Sequence, residues 1–126
     1  MVSVKHFMDA IAPEDGQRVW VEPFGLAPDL RRWCQVNQVL PQFGPPQELA
    51  IWYEQRDARG AYEFFRGSYH QYLSRGTHLD ALRQLAWQGA IGNITLLHQG
   101  VDPSCNTATA VNEFLCDLSP YCPPYM

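Results

Sequence analysis

Residues 94–110 constrain the fold of this chain more than any other stretch. Residues 93–98 form a short, largely apolar run of strand length, and Asp102 and Pro103 follow it within a few positions. Aspartate at the N-cap with proline at the first helical position is a regular helix start. We therefore predict a buried strand that turns sharply into a helix ending before Pro120, with any functional site at that turn.

Three earlier segments have the composition of strands. Residues 2–7 alternate apolar and polar side chains, and residues 18–22 are β-branched and aromatic up to Pro23, which cannot donate to a sheet ladder. Residues 32–40 fit the strand and helix templates about equally. We favour a strand there because Pro41 and the Gly-Pro-Pro sequence behind it end the segment abruptly.

Three further helices are predicted in the middle of the chain. Residues 47–54 follow Pro46, which suits a first helical turn, and Asp57 is the expected N-cap of the next helix. Thr77 and the aspartate three residues later resemble a capping box for a third helix, which should end at Gly89. The second of these helices carries an apolar and aromatic stripe at helical period: Ala61, Phe64, Phe65, Tyr69, Tyr72 and Leu73. Such a stripe is more often core than a cofactor site, and any exposed part of it would mark a dimer interface.

The order of these segments indicates one α/β domain. We predict a small, mostly parallel sheet of about four strands covered by helices. The chain of 126 residues is long enough for one core, which gives a single domain at residues 1–118 and a Pro-rich tail at residues 119–126. Such sheets bind ligands outside the carboxyl ends of their strands, where the loops 22–28, 41–46 and 99–106 should meet.

Charge and hydropathy exclude several classes of partner. The net charge of −4 and the isoelectric point near 5.4 give no attraction to phosphate backbones, so we expect no nucleic-acid partner. Lys5, His6 and Asp9 interrupt the apolar run that a signal peptide needs, and no stretch approaches the ~18 apolar residues of a membrane span. We expect a cytoplasmic protein with no membrane partner.

Cysteine and histidine spacing argues against disulfides and metals. Cys34, Cys105, Cys116 and Cys122 match neither a zinc knuckle nor a redox pair, so in a reducing compartment we expect free thiols. The histidines are far apart in the sequence and lack the helical spacing of a shared metal site. We therefore expect neither a metal ion nor a cofactor.

Five side chains make up the candidate ligand-binding site: Glu22, His98, Asp102, Cys105 and Asn106. Cys105, placed in the first turn of the last helix, would have a lowered pKa and would use His98 as its base. The favoured alternative is an inert cysteine that behaves as a small apolar side chain. For His98 the favoured alternative is a ring satisfied by a backbone carbonyl.

The other three candidates have structural alternatives as well. Asp102 has a sufficient role as N-cap, so its carboxylate needs no catalytic part. Asn106 either binds a ligand or fixes the preceding loop. Glu22 is an acid or anchor at a strand end, and the favoured alternative is a solvated carboxylate or a surface pair with Arg18 or Arg31.

Several stretches of the chain carry a family resemblance through their order and spacing. They are Pro13-Glu-Asp-Gly16 ahead of Arg18-Val-Trp-Val-Glu22, Gly44-Pro-Pro-Gln-Glu-Leu49 with Trp52-Tyr53, Asp57 ahead of Tyr62-Glu-Phe-Phe65 and Tyr69, and Ile94-Thr-Leu-Leu97 with Asp102, Asn106 and Ala108. In order and spacing, over residues 2–118, they resemble the YeaO-like family of uncharacterised bacterial proteins, which carry a domain of unknown function. The resemblance implies a Rossmann-like α/β domain with a pocket at the strand ends, and it implies no activity.

Two departures from the family pattern bear on that pocket. After the second strand the family usually has two arginines, one of them in a Trp-Pro-Arg-Gly element, where this chain has only Glu22-Pro-Phe-Gly25. At the start of the last helix the family commonly has His-Asn, where this chain has Cys105-Asn106. If the arginines bind an anion in relatives, this chain has lost or changed that ligand.

Three functions remain open on the sequence alone. The leading hypothesis is binding of a small polar or anionic ligand at the strand ends, without established catalysis. The alternative is a non-catalytic interaction module that forms a homodimer through the aromatic helix face or the Pro-rich tail. The third is a thiol-dependent enzyme that uses Cys105.

Overall fold

A single parallel sheet organises the chain. The structure, a computed structural model, describes residues 1–118, and the predicted Pro-rich tail at residues 119–126 lies outside them, as does Cys122. The strands β1 (Val2–His6), β2 (Gln17–Trp20), β3 (Gln38–Val39) and β4 (Ile94–His98) lie in the order β1-β4-β2-β3, and every pair is parallel. The predicted parallel sheet of four strands is therefore confirmed.

The strand β4 is central and wholly buried. It pairs with β1 from Val2 opposite Ile94 to His6 opposite His98, and with β2 from Gln17 opposite Ile94. All five of its residues are buried, as expected for a strand covered on both faces. This register places the ends of β1 and β4 side by side.

Within residues 1–118, five α-helices cover the sheet. They are α1 (Pro28–Trp33), α2 (Gln47–Glu54), α3 (Ala58–Leu73), α4 (Gly76–Ile91) and α5 (Thr107–Leu118). Among residues 1–118, none of the helices is both long and apolar enough to cross a bilayer. The predicted bounds of α2 are confirmed, and so is Asp57 as the N-cap of α3, because its Oδ2 accepts a hydrogen bond from Gly60 N at 3.0 Å.

Alternate strand residues face two separate cores. Val19 and Leu96 face the larger core, where they meet side chains of α3, α4 and α5 such as Phe65. Trp20 and Leu97 face the smaller core beside Cys34. The aromatic stripe of α3 therefore divides: Phe65 and Tyr69 are fully buried, whereas Phe64 is 62% exposed.

The predicted strand over residues 32–40 is wrong for its first half. Pro28–Trp33 is helical, and only Gln38–Val39 pairs with β2. The helix ends where Gln35 takes a left-handed conformation at φ 50°, with the Gln35 and Val36 N–H groups bonded back to carbonyls of its last turn. This tight reversal occurs without the glycine that usually marks it, so a local stop signal is missing from the sequence at that point.

The predicted limits of the third middle helix are also wrong. The helix α4 begins at Gly76 after Arg75, without a side-chain cap, so Thr77 lies inside its first turn. It continues past Gly89 to Ile91. At Gly89 the helix packs closely on β1, where a Cβ would be 2.3 Å from Val2 Cγ2. This close approach accounts for a glycine inside the helix.

Candidate functional site

Two of the predicted site residues, Glu22 and His98, lie at the carboxyl ends of the neighbouring strands β2 and β4. Glu22 follows β2 by two positions, and the backbone of Gln99, just past β4, hydrogen-bonds to its carboxyl. The loop 41–46 closes on the same corner, since a Cβ on Gly44 would be 2.5 Å from Pro23 N. The loops predicted to meet at this edge are therefore in contact.

Glu22 is a buried carboxyl, 6% exposed. Burial raises its pKa from 4.5 to about 7, although hydrogen bonds from the Thr107 hydroxyl and the Gln99 backbone favour the ionised form. The solvated carboxylate favoured from the sequence is thus wrong, and so is a pair with Arg18, whose Nη1 bonds to Asp15 instead. At neutral pH this carboxyl can act as a donor and as an acceptor of hydrogen bonds.

His98 is 3% exposed, and within residues 1–118 its Nδ1 has no hydrogen-bond partner. Its ring lies edge-on to that of His6, with centroids 5.5 Å apart. Burial and the neighbouring His6 lower the pKa of His98, and the Gly100 backbone opposes this shift without completing a hydrogen bond to Nδ1. The expected carbonyl partner is therefore missing at Nδ1, and the ring is neutral at physiological pH.

The space beside His98 Nδ1 adjoins the start of α5. A Cβ on Gly100 would lie 3.8 Å from that nitrogen and 3.5 Å from Asn106 Cβ. Asn106, 3% exposed, uses Oδ1 to accept the Thr109 N–H at 2.8 Å. Asn106 is therefore the N-cap of α5, which fixes the loop instead of presenting a free amide.

Asp102 caps the turn that precedes α5, not the helix itself. Its Oδ1 accepts the backbone N–H groups of Ser104 at 2.8 Å and Cys105 at 3.1 Å, and its Oδ2 lies 3.0 Å from Arg59 Nε. The Ser104 N–H, followed by the charge of Arg59 and the Cys105 N–H, lowers the pKa of Asp102. The predicted helix start at Asp102 and Pro103 is wrong, because the chain makes this extra turn before Thr107.

Cys105 consequently lies outside the first turn of α5. Burial and the Asp102 carboxylate raise the pKa of its thiol, and Arg59 opposes that shift only in part. The Cys105 carbonyl accepts a hydrogen bond from Tyr53 Oη at 2.9 Å, and within residues 1–118 no hydrogen bond links its thiol to His98. This environment opposes a thiolate.

Two of the cavities in the described part of the chain lie away from the strand ends. One of about 410 Å³ lies at the amino edge of the sheet beside Arg18, and one of about 420 Å³ lies between α2 and α3 beside Trp52 and Phe64. Neither is lined by Glu22 or His98. Glu22 and His98 are themselves nearly inaccessible, so the strand-end polar cluster is closed to solvent in this structure. Among residues 1–118 no three His, Cys, Asp or Glu side chains are placed to share a metal ion, and Cys34 and Cys105 form no disulfide.

Sequence reasoning missed three residues of this cluster. Thr107 contacts Glu22, His6 contacts His98, and Tyr53 holds the Cys105 carbonyl. His6 had a usable signal, because it ends the first strand as His98 ends the fourth. Thr107 had one as well, since a helix capped at Asn106 places the following hydroxyl in its first turn.

Comparisons with known proteins agree on a family. Residues 1–119 match the family described as the inactive DUF488-N3 subclade. Uncharacterized proteins of Mycobacterium tuberculosis (Rv3073c) and Mycobacterium bovis (Mb3100c) are 30% identical over 100 residues, which is 75% of this chain and 78% of each relative. No solved structure matches the chain significantly. The prediction of a family of unknown function is confirmed: the chain belongs to the inactive DUF488-N3 subclade.

Proposed function

We propose that this chain is a non-catalytic binding protein of the bacterial cytoplasm that holds a small polar ligand at the carboxyl ends of β2 and β4. Two buried polar groups at these strand ends carry the proposal: Glu22, whose pKa is raised to about 7, and His98, whose Nδ1 has no hydrogen-bond partner among residues 1–118. Buried polar atoms nearly always have partners, and perturbed groups concentrate at functional sites. A hydroxyl or amide ligand would supply the partner that His98 Nδ1 lacks, and it would exchange a further hydrogen bond with the Glu22 carboxyl.

The protonation of Glu22 sets the ligand's charge. An anion would be repelled by the ionised carboxyl, and the neutral His98 offers no compensating charge. A neutral ligand with both donors and acceptors fits the site at pH 7, and an anionic ligand would bind better as the pH falls below about 7. The absence of the two family arginines from residues 22–25 favours the same choice.

The lack of catalysis rests on Cys105 and on the family. The raised pKa of that thiol opposes nucleophilic chemistry, and the matched subclade is described as inactive. The closer YeaO-like relationship stays a prediction, supported by the order of motifs over residues 2–118. Ligand entry would require the loop 99–106 to move, because Glu22 and His98 are both nearly inaccessible.

A fragment panel of neutral amides, polyols and carboxylates, observed by saturation-transfer NMR, tests the proposal. We expect neutral fragments that bind the wild type and lose their signal with Glu22→Leu and with His98→Phe. Glu48→Gln removes an exposed carboxylate of α2 and should leave every signal unchanged. A panel in which no fragment distinguishes wild type from both site variants contradicts the proposal.

We propose a homodimer as the second candidate, supported by the exposed part of the aromatic stripe. Phe64 is 62% exposed and Ile51 is 46% exposed, and Phe64 packs on Trp52 with ring centroids 4.9 Å apart. An apolar patch of this kind is typical of an interface. Sedimentation at tens of micromolar should show a dimer that Phe64→Glu dissociates and Ile91→Glu, at an exposed position of α4, does not. A wild-type monomer would exclude this candidate.

A further inference from the structure

A cavity of about 410 Å³ lies at the amino edge of the sheet, at the opposite end of β2 from Glu22. Its wall consists of residues 11–13, Gly16, Arg18, Gln35 and Asn37. The volume is within the range of small-molecule sites, about 300–1,000 Å³. The ligand site proposed at the strand ends does not involve any of these residues.

Arg18 supplies a buried cation to this wall. It is 2% exposed, its Nη1 bonds to Asp15 Oδ2 at 2.6 Å, and its Nε donates to the Cys34 carbonyl at 3.0 Å. Its Nη2 is buried and has no hydrogen-bond partner among residues 1–118. A guanidinium is always charged and offers five donors, so a vacant Nη2 in a buried position calls for an acceptor.

The charges next to Arg18 do not balance. Lys5 Nζ lies 2.7 Å from Asp15 Oδ1, so two cations share one carboxylate. Arg31 adds a third cation, since its Nη2 donates to the Asn37 carbonyl at 3.2 Å. Buried charges are normally paired, and the two cations that contact Asp15 exceed its single negative charge, whereas Arg31 and Glu14 are both exposed to solvent.

Asn37 adds an oriented amide. Its Oδ1 accepts the Arg18 backbone N–H at 2.7 Å, which fixes the side chain and leaves Nδ2 as a donor. Gln35 places a second amide on the wall from its left-handed backbone conformation at φ 50°. The cavity thus combines a buried guanidinium with amide donors.

We propose that this cavity binds a small oxyanion, a carboxylate or a phosphate group, through Arg18 and the Asn37 amide. The guanidinium is suited to this role because its planar donors match the oxygens of both groups. Because Nη2 is buried in this structure, anion binding requires the wall around it to open. The proposal is independent of the ligand at the strand ends.

An Asn37→Asp substitution isolates the anion site. Aspartate keeps an oxygen to accept the Arg18 N–H but replaces the donor with a negative charge, so the fold is retained while the site repels anions. The repulsion between the new carboxylate and an anion about 4 Å away should weaken anion binding at least about tenfold, even when solvent partly screens it. Asn112→Asp on α5 adds the same charge away from the cavity and is the matched control.

The measurement is a titration of the ¹⁵N-labelled protein with inorganic phosphate and with acetate, at constant ionic strength set by chloride. We expect saturable shifts at Arg18 Hε and at the amides of Gln35 and Asn37, weakened in Asn37→Asp and unchanged in Asn112→Asp. If the shifts saturate with only one of the two anions, that anion identifies the oxyanion class. Linear shifts with both anions that match those from chloride, or equal affinities for Asn37→Asp and wild type, overturn the proposal.

Discussion

Arg18 and Asp15 form a buried ion pair in which Nη1 lies 2.6 Å from Oδ2, and both side chains are less than a tenth exposed. The second oxygen of Asp15 takes Lys5, and the Asp15 carbonyl accepts a hydrogen bond from Thr95 Oγ1 at 2.8 Å. Asp15, two residues before β2, thus contacts residues of three strands. These contacts link β1, β4 and β2 next to the cavity at the amino edge of the sheet.

Asp15→Asn should destabilise the fold by about 3 kcal/mol, because it leaves the buried Arg18 without its counter-charge. The free energy of unfolding in urea gives the measure. Asp29→Asn, which breaks an ion pair between side chains 94% and 81% exposed, serves as the control and should change nothing measurable. Equal effects of the two substitutions would disprove a structural role for the buried pair.

Asn106→Ala should lower the free energy of unfolding by about 1–2 kcal/mol, because it leaves the half-buried Thr109 N–H of α5 uncapped. Asn106→Ser keeps a capping oxygen and should recover most of that loss. Asp102→Ala should cost less than Asn106→Ala, since Asp102 caps only the preceding turn. The reverse order in urea denaturation would place the helix start at Asp102 after all.

Local signals in the sequence predicted the strands and most helices, whereas contacts between distant elements decided the site. Asp57 caps α3 through its own neighbours, so a short window was sufficient. Burial of Arg18 requires Asp15 and Lys5 to meet across separate elements, and no window contains that information. The helix end at Gln35 was not predicted for another reason. A left-handed residue at a helix end is usually glycine, and here glutamine adopts that conformation.

Glu22 should make stability fall as the pH rises from about 4.5 to about 7. Its folded-state pKa is raised, so in this window the folded state retains a proton that the unfolded state has lost. The difference in unfolding free energy between wild type and Glu22→Gln should decline by up to about 1.4 kcal/mol per pH unit and flatten above pH 7.

His98 contributes a change of opposite sign in part of the same range, because its pKa is lowered. Subtracting the Glu22→Gln curve from the wild-type curve cancels that contribution, since both proteins contain His98. Glu48→Gln, at an exposed position, should run parallel to wild type at every pH. A parallel Glu22→Gln curve would mean that the carboxyl is not perturbed.

Cys105 should react with iodoacetamide at pH 7 no faster than the thiol of glutathione, because burial and Asp102 raise its pKa. Mass spectrometry of the digested protein follows this cysteine separately from the others. Asp102→Asn removes the second of those causes and should accelerate the reaction. A wild-type rate several-fold above that of glutathione would support a reactive thiol at this position.

Gly16→Ala should destabilise the chain by at least about 2 kcal/mol, because the backbone there has φ 62° and ψ −131° and favours glycine. A Cβ at this position would also lie 2.1 Å from the Asn93 carbonyl oxygen, which accepts the Gln17 N–H that opens β2. Gly67→Ala provides the contrast: a Cβ inside α3 meets nothing within 4 Å, so alanine should stabilise the helix by about 0.5–1 kcal/mol. Thermal unfolding of both variants measures the difference, and a Gly16→Ala protein as stable as wild type would show that the β2–β4 junction tolerates a shift.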